Sequence, residues 1–547
     1  MQIEYPSREV LQHALEHTVP ESLDFAVLAT GALEYADSER MKSCLSACAR
    51  ALRNGGLLFV QGRPEYLPEL GVFLDGLLSF KYWIAVESLP RKSSSGLPSV
   101  HAGILLFTKG NHGFEVSRTR FPHQVCEFCG KSLRDWGGKS HLMNPAGHVI
   151  SDVWTDLPPS DNYTRISPPV LETIFRMVDS PDRPMRGLVG PSEALDDGQD
   201  IPESPSACIT DTGAVNSLDD TLVDVVHCGD ALEILRSYPD NCIDLAFADP
   251  PYNLNKLYSA YQDGRSEERY VEWCNAWLAE YARVLKPTGS LYVLNLPRWT
   301  MYHAEFLNQH LCFRSWIVWD ALSEPRGKLM PAHYGLLFYT KQPTGFTFNY
   351  DALTSIDSRR YCLRASCIRK RKSLGADEKE PLTDIWWNIH RIRHKRDRDY
   401  HPCQLPDALM ERIIRLSTNE GDVVLDALCG TGTTALAARR LNRRFVAIDL
   451  DEDYVAITRE KLRGLDLFGY VQRESTRKPK REHSKRELQL QLRNLAVHLG
   501  RLPTPDDVRD LTNLDPAVIL SLFPTWGKAL KAAKLEARAV SVPEIPI

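Results

Sequence analysis

Asp249-Pro250-Pro251-Tyr252 follows an apolar run, Ile243-Asp244-Leu245-Ala246-Phe247, in a chain of 547 residues. Two prolines stiffen this segment and remove two N–H donors, leaving carbonyls free to accept. A carboxylate and a backbone carbonyl together can take both hydrogens of an exocyclic amine and aim its lone pair away from the ring. The adjacent tyrosine offers a flat face on which a base removed from its duplex can stack. A second segment, Asp426-Ala427-Leu428-Cys429-Gly430-Thr431-Gly432-Thr433-Thr434, reads as strand, glycine-rich turn and helix. Many nucleotide folds carry such a turn. Asp449, at the end of the next strand-like run, adds a carboxylate able to take ribose hydroxyls. The turn lacks the Gly-Lys-Ser/Thr ending of a phosphate-binding loop, which argues against an ATPase.

The elements that must hold these segments alternate. Strand-like runs at 243–247, 290–294, 317–319, 335–339, 423–426 and 445–449 are interleaved with helical periodicity at 267–286, 407–418, 433–441 and from about 452. That pattern predicts an α/β fold with a mostly parallel sheet covered on both faces. The loop after 243–247 then lies at the carboxyl edge, where open α/β sheets bind ligands.

The pattern also occurs earlier in the chain. Residues 23–30 match 243–250, 48–60 match 281–293, 101–110 match 333–342, 151–157 match 383–389 and 167–178 match 404–416. Matches in the same order along both halves predict an internal duplication. The first copy has Ala29-Thr30-Gly31-Ala32 where the second has Asp249–Tyr252, and no glycine-rich turn follows Val178.

The set resembles the S-adenosylmethionine-dependent DNA amino-methyltransferases. Asp249–Tyr252 looks like their catalytic motif and Asp426–Thr434 like their cofactor loop. Gly229-Asp230 looks like the element that contacts the cofactor's adenine, and His401-Pro402-Cys403-Gln404 like the segment that closes over its methionine end. The catalytic motif precedes the cofactor loop, as in the beta class; the RNA guanine methyltransferases with a similar tetrapeptide run the other way. One departure is Ala427-Leu428, where the family usually has Pro-Phe; leucine keeps an apolar contact. The resemblance covers about residues 222–466. It implies Asp249, Pro250, Pro251 and Tyr252 as catalytic residues. It implies Asp230, Asp426, Leu428, Cys429, Gly430, Gly432, Thr433, Thr434, Asp449, His401 and Gln404 as cofactor contacts. An aspartate heading the tetrapeptide favours adenine N6; cytosine N4 and a catalytically silent DNA-binding protein are the alternatives.

Net charge is only −5, so a nucleic-acid partner must show locally. Arg369, Lys370, Arg371, Lys372, Arg391, Arg393, Lys395 and Arg396 cluster with Trp386, Trp387 and three histidines, in the slot where the resemblance implies target recognition. Charge runs are commonly solvated loops; here contact with the phosphates of double-stranded DNA is expected. Cys126-Glu127-Phe128-Cys129-Gly130, with His141 beyond it, reads as half of a zinc knuckle. Cys362 and Cys367 lie at a roughly corresponding place in the other half. Structural zinc and reduced packed cysteines both remain open for this site.

Hydrophobic residues form 43% and charged residues 25% of the chain, a soluble globular balance. No apolar run can span a bilayer, and MQIEYPSREV is no secretory signal. Thirteen cysteines over this length suggest reduced thiols and a cytoplasmic protein. The expected organisation is a degenerate methyltransferase-like half at 1–179, a linker at 180–220 and a Rossmann-like catalytic domain at 221–470, with target recognition at about 343–400. A basic linker at 471–486 and a small helical DNA-binding module at 487–547 follow. The module reads as three short helices and resembles the homing-endonuclease-associated repeat at 499–510 and 523–535. The resemblance further implies a monomer with an internal pseudo-dimer, and a separate restriction endonuclease if the protein serves restriction.

Overall fold

The computed structural model describes residues 1–32, 38–91, 96–110, 115–133, 143–160, 165–180, 184–191, 213–254, 264–321, 327–353, 355–392, 404–465, 485–512, 514–523, 525–533 and 535. They form two compact units, 1–476 and 477–547. No described helix is long and apolar enough to cross a membrane.

The larger unit holds two open sheets. One has eight strands in the order Val225–Cys228, Arg444–Asp449, Val423–Asp426, Ile243–Ala248, Leu285–Asn295, His333–Thr340, Cys312–Asp320, Ile385–Trp386. His333–Thr340 is antiparallel to both its neighbours, and every other pairing is parallel. Ile243–Ala248 is central and almost wholly buried, as a strand covered on both faces must be. Helix Glu267–Val284 covers one face. It starts at Ser266, whose hydroxyl accepts from the Arg269 N–H, and carries Glu267 and Glu268 in its first turn. Its buried Tyr270, Cys274, Trp277, Leu278 and Tyr281 recur at helical spacing and face the sheet.

The chain leaves Ile243–Ala248 toward Leu285–Asn295 on one side and leaves Val423–Asp426 toward Arg444–Asp449 on the other. The order therefore reverses between Ile243–Ala248 and Val423–Asp426, with Phe247 opposite Asp426. A crevice opens at such a reversal, beyond the carboxyl ends of the strands.

The other sheet has seven strands in the order Gln2–Glu4, Arg186–Gly190, Leu23–Ala29, Leu52–Gly62, Ser99–Thr108, Ser79–Arg91, Val153–Trp154. From its second strand onward the order and pairing sense repeat those of the eight-stranded sheet from Val423–Asp426 onward. All five sequence matches fall on corresponding elements. Arg186–Gly190 lies inside the segment expected to be a linker. Leu188 and Val189 are buried between neighbouring strands, and that burial outweighs the polar composition around them. Asp24 shows how closely the copies agree: it accepts from Arg53 Nε and from the Arg186 N–H, while Asp244 accepts from Lys286 Nζ and from the Val423 N–H.

The two halves join through reciprocal contacts. Trp83 stacks on its counterpart Trp316, with ring centroids 3.7 Å apart and planes 6° apart. His101 Nδ1 lies 2.9 Å from Asp384 Oδ2, and its counterpart His333 Nδ1 lies 3.1 Å from Asp152 Oδ2. Val100 N–H donates to Asp384 and Ala332 N–H donates to Asp152. Residue i meeting j while j meets i is the pattern a two-fold axis produces. Helices Leu67–Asp75 and Pro297–Leu307 also pack together, and a Cβ on Gly71 would stand 2.3 Å from Met301 Sδ. Each tryptophan is fully buried. At about 25 cal/mol per Å² over roughly 150–250 Å², each side chain contributes about 4–6 kcal/mol as an upper bound.

The smaller unit has four described helices, Lys485–Leu499, Pro505–Leu511, Pro516–Leu522 and Trp526–Ala532, rather than three. Pro505 and Pro516 each open a helix, where a missing N–H costs nothing. Thr504 and Asp507 form a reciprocal cap. Leu488, Leu492, Val508, Ile519 and Phe523 make the core.

Candidate active site

The crevice at the strand-order reversal is lined by both singled-out segments. Asp230, Asp249, Pro250, Pro251, Tyr252, Gln404, Asp426, Leu428, Cys429, Gly430, Thr433, Thr434 and Asp449 all border it. Phe247, Trp273, Trp277, Leu450, Asp451 and Tyr454 are among the other residues of its walls. These were missed because their signals are structural: Trp273 and Trp277 look like helix core, and Asp451 like the cap it is, accepting from the N–H groups of Asp453 and Tyr454. Asp230 is likewise a cap, accepting from Leu232 and Glu233, with its carboxylate at the rim.

The tetrapeptide is held from behind. Tyr252 Oη donates to Asp249 Oδ1 at 2.7 Å, and Trp299 Nε1 donates to the Tyr252 carbonyl. Tyr270 Oη donates to the Pro251 carbonyl at 2.7 Å and accepts from Asn295 Nδ2 at 3.0 Å. Asn295 Nδ2 also lies 3.0 Å from His303 Nε2, and burial holds the His303 imidazole down at about 3, so it accepts as a neutral ring. The carbonyls of Pro251 and Tyr252 are thus occupied. Among the described residues the Pro250 carbonyl accepts no hydrogen bond. One carboxylate and one uncommitted carbonyl stand side by side. The Tyr252 ring is only 5% exposed.

The opposite wall is the glycine turn. Gly430 and Gly432 both have positive φ, 51° and 76°, which a residue with a Cβ adopts at a cost. Gly430 N–H donates to Asp449 Oδ2 at 2.7 Å, and Asp451 N–H donates to Asp449 Oδ1 at 2.9 Å. Asp426 accepts from Thr434 Oγ1 and from the Leu428 N–H. Burial raises the Asp426 carboxyl to about 7 and the Asp449 carboxyl to about 6. A buried carboxylate, Asp426, and a half-buried one, Asp449, among apolar walls of Phe247, Leu428 and Leu450 suit a ligand that brings hydroxyl donors, positive charge and a flat apolar ring.

Several expected contacts differ. Gly432 faces away from the cleft: a Cβ there would stand 2.2 Å from Thr458 Cγ2, so the residue permits close packing of two helices. Arg371 is fully buried, donating to Asp377, to the Cys362 carbonyl and to Cys367 Sγ; a guanidinium committed inside the fold is not available to a phosphate. Arg359 pairs with Glu87 and Glu380, and Arg360 with Glu378 and Glu127. Arg369, Lys370 and Lys372 are exposed on helix Ala365–Ser373, and Arg391 is half-buried. Arg393, Lys395, Arg396, His401 and His141 lie outside the described residues. Cys126 and Cys129 do not border the cleft.

A parallel α/β sheet with a carboxylate-bearing cleft at its order reversal defines a nucleotide-cofactor fold. Residues 243–460 match the DNA methylase family, and residues 483–536 match the homing endonuclease associated repeat. The chain is 37% identical over 265 residues to type II methyltransferase M.BamHI of Bacillus amyloliquefaciens, covering 46% of this chain and 61% of that one. It is 35% identical over 240 residues to type II methyltransferase M.HpaI of Haemophilus parainfluenzae, covering 43% and 73%. It is 31% identical over 263 residues to the DNA adenine methyltransferase YhdJ of Escherichia coli K12, covering 47% and 87%. The chain belongs to the DNA methylase family.

Proposed function

We propose that the protein transfers a methyl group from S-adenosylmethionine to the exocyclic amine of a base in double-stranded DNA, at adenine N6. The observation that carries this reading is the meeting of Asp249 and Pro250 with the glycine turn and Asp449 across one cleft. S-adenosylmethionine, when bound, supplies an electrophilic methyl on a sulfonium. Asp449 takes the ribose hydroxyls, and Asp230 and Gln404 serve its two ends. Asp249 Oδ and the Pro250 carbonyl accept the two amine hydrogens, which draws the nitrogen toward tetrahedral geometry and localises the lone pair it otherwise shares with the ring. The carboxylate then stabilises the positive charge that grows on nitrogen as the nitrogen–carbon bond forms and the carbon–sulfur bond breaks; the electron pair stays on sulfur, S-adenosylhomocysteine leaves, and the amine gives up one proton to solvent. Tyr252, by donating to Asp249, holds that carboxylate at one angle; on base entry its ring is the stacking partner.

The exposed Arg369, Lys370 and Lys372, with Arg391 and the basic residues beyond it, contact DNA phosphates. The helical unit adds DNA contacts of its own. The reciprocal joining of the two halves supports a monomer in which the first half takes the place of a second subunit. Relatives described as type II methyltransferases support a role in restriction–modification, with cleavage left to a separate endonuclease, and a relative described as an adenine methyltransferase supports the base. The test is nucleoside mass spectrometry on duplex DNA treated with the protein and isotopically labelled S-adenosylmethionine. Labelled N6-methyladenine is expected. Labelled N4-methylcytosine would overturn the base assignment, and no labelled nucleoside on any DNA the whole reading.

A further inference from the structure

We propose that Cys126, Cys129, Cys362 and Cys367 form a tetrathiolate zinc site that ties the first half of the molecule to the target-recognition segment of the second. The four Sγ atoms all lie within 4.8 Å of one another, although the chain separates the two pairs by more than 230 residues. Cys126 Sγ is 3.9 Å from Cys367 Sγ, and Cys129 Sγ is 3.7 Å from Cys362 Sγ. A zinc ion bound by four sulfurs at about 2.3 Å demands sulfur–sulfur edges of about 3.8 Å. A disulfide demands about 2.0 Å, and all four thiols are free. The spacing is therefore that of a metal tetrahedron.

The surroundings are built for thiolates. Cys126–Cys129 is a knuckle: Gly130 N–H donates to the Cys126 carbonyl at 2.8 Å, Cys126 N–H donates to the Lys131 carbonyl at 2.7 Å, and Gly130 turns the chain at φ 66°. On the other side, Cys362 precedes helix Ala365–Ser373 and Cys367 lies in its first turn. The buried Arg371 guanidinium sits one turn further on and donates to Cys367 Sγ at 3.2 Å. The same guanidinium pairs with Asp377 at 3.0 Å. Four thiolates around a divalent ion carry net negative charge, which Arg371 offsets, as outer partners of metal ligands commonly do. Tetrahedral sulfur selects zinc over hard cations, and four protein ligands leave no open position, so the site is structural. Glu127 N–H donates to the Arg360 carbonyl, so backbone joins the halves beside the proposed ion.

Elemental analysis of the full chain, purified without chelator or metal-affinity steps, should find one zinc per chain. A mercurial reagent should release it as four thiols titrate. Cys126→Ser and Cys362→Ser should each lose the zinc, whereas Cys228→Ser, at an exposed thiol elsewhere, should keep it. Should the ligand variants misfold, cobalt added to the metal-stripped wild-type chain should give the intense visible bands of a tetrahedral tetrathiolate, displaced by stoichiometric zinc. Stoichiometric iron, zinc retained in both ligand variants, or no metal together with no such cobalt spectrum would each overturn the proposal.

Discussion

The two halves of the larger unit share strand order, helix placement and even the carboxylate that pins their central strands, yet among the described residues the carboxylate-lined cleft belongs to the second half. The difference lies in a few positions at the carboxyl edge. Ala29 stands where the second half has Asp249, and Val189 where it has Asp426. Beyond Arg186–Gly190 the short parallel strand Gln2–Glu4 takes the place of Arg444–Asp449, and by register Glu4 corresponds to Val446, so the strand ends before the position of Asp449. What the halves retain in common is the contact surface between them: Trp83 and Trp316, His101 and His333, Asp152 and Asp384. A sheet can thus lose its ligand edge while keeping its packing edge, because the two lie on different strands.

The largest effect expected from breaking this arrangement is at the stacked pair. Trp316→Ala leaves a cavity against Trp83 and should cost about 3–5 kcal/mol, read as a lowered denaturant midpoint with an unchanged slope. Asp249→Ala should remove about 2.7–4 kcal/mol of transition-state stabilisation while calorimetry finds cofactor affinity nearly unchanged; turnover at the wild-type rate would refute its role. The reciprocal carboxylates come next. Asp152→Ala strands the Ala332 N–H beside His333, and Asp384→Ala strands the Val100 N–H and the His101 ring, so each should cost about 1–3 kcal/mol in chemical denaturation. Similar losses sharpen the two-fold picture, and a loss at only one site breaks it. Tyr270→Phe leaves the Pro251 carbonyl unpaired, and methylation assays should find kcat lowered by about tenfold, roughly 1.4 kcal/mol, with little change in KM.

The smallest effect is on pH dependence. The ionised forms of Asp449 and Asp426 are the acceptors, and burial raises them to about 6 and about 7. Cofactor affinity should therefore be level only above about pH 8 and weaken as pH falls through 7 to 6. Because the folded values lie above the unfolded value of about 3.9, the empty protein holds extra protons in between, and these two groups lower its stability as pH rises from about 4 to 7. Titration calorimetry across that range checks the first statement and denaturation the second.

The cleft was legible because its residues are local. Asp249–Tyr252, Asp426–Thr434 and Asp449 each follow a strand directly, so a strand pattern alone puts them at one edge of one sheet. The duplication was legible for the same reason. Contacts across the molecule were not. Arg371 reads as one more charge in a basic run, and only the fold brings it beneath Cys367. Cys362 and Cys367 have the wrong spacing for a second knuckle, and no periodicity joins them to Cys126 and Cys129. Arg186–Gly190 hides in polar sequence because its burial comes from strands on either side. Gly432 looks like part of the ligand turn, and only the approach of Thr458 reveals its packing role.

The account's central claim is that one half holds the cofactor and the other does not. Calorimetric titration of the full chain with S-adenosylmethionine, alongside Asp449→Ala, tests it most directly. The account predicts one site per chain, weakened strongly by Asp449→Ala. Two sites per chain, or affinity untouched by that substitution, would contradict it.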